Sequence, residues 1–88
     1  MVQDEFMETL AAEGFAEPVT VQREANGFLG NHAHPFEAKA LILDGEILLR
    51  IGDVEQTYKK GQVFHLFANV LHSETYGPDG VKYLVGRK

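Results

Sequence analysis

The chain has 88 residues, 44% hydrophobic and 24% charged, with a formal net charge of -5 and no cysteine. That balance describes one globular domain. It excludes disulfides and thiolate metal sites, and argues against sequence-independent nucleic-acid binding, which rests on Lys and Arg meeting phosphates. No apolar run approaches the roughly 18 residues of a membrane span, and the acidic N-terminus lacks the basic start of a signal peptide, so a cytoplasmic protein with no membrane partner is expected.

The first element, "DEFMETLAAEG", predicts a short helix at about residues 4–13. Phe6, Met7, Leu10 and Ala11 share one face at helical spacing. Asp4 and Glu5 suit the positive end of the helix dipole, and Gly14 suits a left-handed position past the C-terminus. From Pro18 on the pattern is strand and turn, to about residue 87. "VTVQRE" alternates as a half-buried strand does. Asp44-Gly45, between "FEAKALIL" and "EILLRI", is read as a type I′ hairpin turn, because both central residues of such a turn need positive φ. Gly52-Asp53 marks a second turn, Gly61 opens "QVFHLF", and "GPDG" at 77–80 closes a further strand before "VKYLVGR". Short strands at regular spacing with many glycines predict an all-β antiparallel sandwich or barrel behind one helix, as a single domain over residues 1–88. A core this small is modest, and a homodimer is expected.

Chemistry-bearing residues concentrate in four histidines, His32, His34, His65 and His72. On a strand, side chains two apart point to one face, about 6.5–7 Å apart, a spacing that lets a His-x-His pair converge on one ion; taken alone, the pair reads equally as two solvent-facing polar residues. His72 is the best third ligand from a neighbouring strand. His65, inside an apolar run, reads as a packed or interface histidine.

These residues resemble the small single-domain cupins. The cupin first motif runs Gly-x5-His-x-His-x3–4-Glu-x6-Gly and the second Gly-x5-Pro-x-Gly-x2-His-x3-Asn. His32 and His34 match the first pair, and Gly45 the closing glycine. Gly61 opens the second motif, and His72 falls on its histidine. Ala38 stands where the motif places glutamate, and Glu37 is one residue out of register, so it needs a bulge to reach the ion. Phe67, Asn69 and Tyr76 replace the proline, glycine and asparagine of the second motif. Asn69 tolerates the positive φ that the glycine would supply.

The resemblance implies an antiparallel jelly-roll β-barrel with His32, His34 and His72 at its mouth. They would hold a divalent transition metal (Zn, Fe, Ni, Mn or Cu), with no organic cofactor. Glu37, Glu74 and Tyr76 are possible additional site residues. Glu74 and Tyr76 continue the parity of His72 along a strand. The expected function is binding or transformation of a small organic molecule at this metal. The alternatives are a non-catalytic ligand-binding or sensor module, and a metal-free dimeric barrel. No catalytic residue is assigned.

Overall fold

The computed structural model describes all residues 1–88. Helix α1 (Gln3–Ala12) precedes six strands: β1 (Val19–Arg23), β2 (Phe28–His32), β3 (Ala38–Ile51), β4 (Val54–Lys59), β5 (Val63–Leu66) and β6 (His72–Arg87). Gly14 closes the helix at φ +83°, as its position predicts. The helix is too short to cross a membrane.

Strands β3 and β6, of 14 and 16 residues, are the spine. Each bends partway and serves two layers. The first part of β3 pairs with β5 and with the last part of β6, which pairs with β1. The second part of β3 pairs with β4 and with the first part of β6, which pairs with β2. Two four-stranded antiparallel layers, β1-β6-β3-β5 and β2-β6-β3-β4, therefore share two long strands. This is a jelly roll.

The bend is visible in side-chain parity. Along β3, Ala38, Ala40 and Ile42 face the core before the bend, and Ile47 and Leu49 after it. Along β6 the inward set changes from His72, Glu74 and Tyr76 to Val81, Tyr83 and Val85. A core of eleven buried residues lies between the layers, with Phe64 and Leu66 from β5 in it. On the outer face of the first layer, Leu41 and Leu84 are covered by Phe6, Leu10 and Phe15 from the helix and the residues after it.

Three expectations are corrected. Asp44-Gly45 is not a hairpin turn: β3 runs through it, with register shifts on both sides, and changes layer there. Likewise, "GPDG" does not end a strand; residues 77–80 form the matching bend of β6. The two-residue hairpin is at Gly52-Asp53, where Ile51 pairs with Val54 and Gly52 takes φ +60°. Finally, β1 is present but is not half-buried. It is an edge strand; Val21 packs on the core while Val19 stays 46% exposed.

Candidate metal centre

Strand β2 ends at His32, directly opposite His72, the first residue of β6. His34 is not on that strand, contrary to the strand reading of the His-x-His pair. It lies in the following loop, where its carbonyl accepts a hydrogen bond from Asn69 N at 2.7 Å. Asn69 holds φ +64°, the backbone role expected for it. The loop still brings the rings together: the His32 centroid lies 4.9 Å from that of His34 and 4.3 Å from that of His72. Phe36 stacks on His34 at 4.8 Å and fixes its far face.

Two of the imidazoles are held by the backbone. His32 Nδ1 lies 2.7 Å from Gly30 O, and His72 Nδ1 2.9 Å from Val70 O. A carbonyl only accepts, so each Nδ1 carries the proton and donates it. In the neutral ring this leaves a bare lone pair on each Nε2. Both Nε2 atoms are buried and have no hydrogen-bond partner. Glu74 Oε2 lies 3.1 Å from the first and 3.3 Å from the second, outside hydrogen-bonding geometry. Two imidazole lone pairs and a carboxylate oxygen face one another with no proton assigned among them. Such an arrangement is costly when buried unless a cation or added protons join it.

One donor atom each from His32, His34, His72 and Glu74 falls within a sphere of mutual separations no larger than 4.8 Å. Bonds of about 2.0–2.2 Å to a common ion place ligand atoms roughly 3–4.3 Å apart, so the cluster is near that arrangement. Burial, and then the neighbouring His32 and His72, hold His34 below the ordinary histidine pKa, which favours the neutral ligand form.

The remaining candidates sit as follows. Tyr76 is in the core and its hydroxyl donates to Glu74 Oε1 at 3.1 Å, so it steadies the carboxylate from the side away from the cluster. Glu37 does not join the cluster. It meets His65 Nε2 at 2.5 Å on the opposite side of the layer, close to Phe15 and Lys39. The one-residue offset is therefore retained, with no bulge to turn Glu37 inward. Ala38 faces the cavity where the motif would put an acid.

The cluster lines a cavity of about 80 Å³, together with Phe36, Ala38, Tyr83, Arg23 and Arg87 among others. The two arginines are the residues that sequence reasoning missed. A signal existed: Arg23 shares parity with Val21, and Arg87 with Tyr83 and Val85. A broader concavity of about 510 Å³ on the outer face of the second layer is lined by Phe28, Leu48, Arg50, Leu71 and neighbours. It contains no histidine; the smaller cavity is the one that adjoins the cluster.

Tyr83 has a consequence for pH. Burial first, and the charge of Glu74 second, push its phenol up to about 12. An unfolded tyrosine ionises near 10. Tyr83 therefore contributes stability that is fully present below pH 10 and is lost as the pH rises through about 12. Denaturant titrations of wild type and Tyr83→Phe should diverge over this window, wild type losing about 2 kcal/mol more. Parallel curves for the two proteins would refute this reading.

No family model and no curated protein sequence matches the chain. Solved structures do. An RmlC-like cupin from Shewanella frigidimarina NCIMB 400 matches 81% of this chain with 64% of its own, at 17% identity and a TM-score of 0.68. The cupin domain of Schizosaccharomyces pombe Cnp3 matches 85% of this chain with 56% of its own, at 18% identity and a TM-score of 0.73. A putative ethanolamine utilization protein Q from Salmonella typhimurium LT2 matches 99% of this chain with 63% of its own, at 16% identity and a TM-score of 0.72. The chain thus spans less than two thirds of the length of each. The fold is a cupin fold.

Proposed function

We propose that this chain is a divalent-metal-binding small cupin whose metal, held by His32, His34, His72 and Glu74, takes a small organic molecule in the adjoining cavity. The observation that carries the reading is the pair of buried, unpartnered Nε2 atoms aimed at Glu74, each ring oriented by its own Nδ1 bond. Backbone carbonyls behind ligand histidines fix the tautomer and the ring plane, as in metal sites generally. The acid comes from β6, two residues after the third histidine, instead of from position 38.

Three nitrogens and one oxygen suit a first-row transition ion, and a metal that expands beyond four ligands keeps positions open for water or a ligand. Such a metal would polarise a bound oxygen or acidify a bound water. Around it, this chain's residues set orientation: Tyr76 fixes Glu74, Asn69 fixes the His34 loop, and Phe36 limits the ring of His34.

Binding without turnover is the second reading, and one observation favours it. No free base lines the cavity. Glu74 Oε1 accepts from Tyr76, its Oε2 is turned to the cluster, and the phenols of Tyr76 and Tyr83 are both pushed up to about 12. Turnover or oxygen uptake against a panel of small organic molecules separates the two readings.

Elemental analysis of tag-free protein tests the metal itself. About one equivalent is expected in wild type and in Glu37→Gln. Glu74→Gln should bind the same metal about 10–100-fold more weakly. Protein that takes up no metal under any loading condition would sink the reading. Equal losses in both glutamate variants would remove Glu74's special role.

A further inference from the structure

We propose that the cavity recognises a small organic anion, a carboxylate in the first instance, and that Arg87 is the residue that selects it. The inference rests on the metal reading above for the anion's second contact, the metal itself.

Although the chain carries a net charge of -5, the cavity beside the cluster is not acidic. Its formally charged lining residues are Arg23, Arg87 and Glu74. Neither arginine makes an ion pair. Glu74 is already turned to His32, His72 and Tyr76. With a divalent ion in the cluster, the two arginines and the ion outweigh the single carboxylate of Glu74, and the lining carries a clear positive excess. Low-dielectric walls concentrate such a field and favour an anionic occupant.

Position singles out Arg87. It lies directly opposite Ala38 in the β3-β6 ladder, so the two side chains share the inner face. Ala38 presents only a methyl group to the cavity that adjoins the cluster. The Arg87 guanidinium stands 5.4 Å over the Phe36 ring, and Phe36 in turn stacks on His34. This stack holds a planar, five-donor fork at the rim without using its hydrogen bonds, as cation–π packing does. A carboxylate in the space beside Ala38 would meet the metal on one side and this fork on the other. The cavity volume of about 80 Å³ suits a carboxylate head, with any larger body extending outward. Arg23, at the end of β1, adds positive charge to the lining from a second strand.

The test is a titration of the full chain with acetate and with its neutral isostere acetamide, followed by amide chemical shifts in metal-loaded and metal-free protein. Acetate should shift resonances of the cavity lining, and acetamide should bind at least about tenfold more weakly. Arg87→Gln should weaken acetate about tenfold or more while metal affinity stays within about twofold. Arg87→Lys keeps the charge but loses the fork, and should recover only part of the loss. Equal acetate binding in wild type and Arg87→Gln would overturn the proposal, since the metal alone would then hold the anion. So would equal binding of acetamide, no acetate binding in any form, or shifts confined to the outer groove around Arg50. If the chain takes up no metal, the metal reading fails, and Arg87 is judged on the metal-free titration. Arg87-dependent acetate binding there sustains its role, and its absence ends it.

Discussion

His72→Ala is expected to abolish metal uptake and the thermal stabilisation that comes with it. His72 is 1% exposed, is held by Val70 O and supplies one of the two orphaned Nε2 atoms. A ligand that binds only the folded state stabilises it by about 2.7 kcal/mol when present at 100 times its Kd. For a domain of this size each kcal/mol moves Tm by about 4–8 °C, so saturating metal should raise wild-type Tm by about 10–20 °C. The variant should show no metal-dependent rise at the same concentrations. Deleting a buried ring also lowers the metal-free Tm through the cavity it leaves, so the decisive quantity is the rise on metal addition within each protein. His72→Gln fills more of the space and gives the same comparison if the alanine variant folds poorly. A variant rise as large as that of wild type would show that the cluster is not the metal's site.

The gathering of these side chains was largely legible in the sequence because parity and spacing are local properties. Gly61 located His72, and the step of two from His72 located Glu74 and Tyr76 on the same face. The offset between Ala38 and Glu37 was legible too, and the side chain of Glu37 does point away, to His65. Two things were not legible. One is that His34 would leave the strand and be positioned by a loop contact with Asn69, which is 35 residues away in sequence. The other is the pair of arginines, whose apolar-face parity was as readable as that of Glu74. A lone arginine at the end of a strand, however, says nothing until a cavity is known to lie beside it.

The fold was legible as a class and misread at its corners. Asp44-Gly45 and "GPDG" carry the residue chemistry of turns, because both need left-handed backbone: Gly45 has φ +70° and Gly80 φ +74°. Local sequence specifies that dihedral. It does not specify whether the chain reverses within one layer or bends from one layer to the next. That choice depends on which strands lie alongside, and here β3 and β6 lie against each other through both bends.

The misread corner makes the second large prediction, Gly45→Ala. Were Gly45 in an exposed hairpin turn, an added methyl would meet only the left-handed backbone penalty, about 1 kcal/mol. At the observed bend a Cβ on Gly45 would lie 2.1 Å from the carbonyl oxygen of Gly80 and 2.8 Å from its carbon. Those are backbone atoms of the other long strand, and they have no rotamer with which to yield. Moving them would disturb the register of β3 on β6, which both layers share. Gly45→Ala should therefore cost about 3 kcal/mol or more, a large share of a small domain's stability. Gly61→Ala is the matched control. Gly61 has φ +86°, but a Cβ there meets nothing within 4 Å, so it should cost only about 1 kcal/mol. Urea midpoints of the two variants measure the difference. Equal losses would mean that the bend of β3 opens without cost, and that the two long strands are not the rigid spine of the barrel.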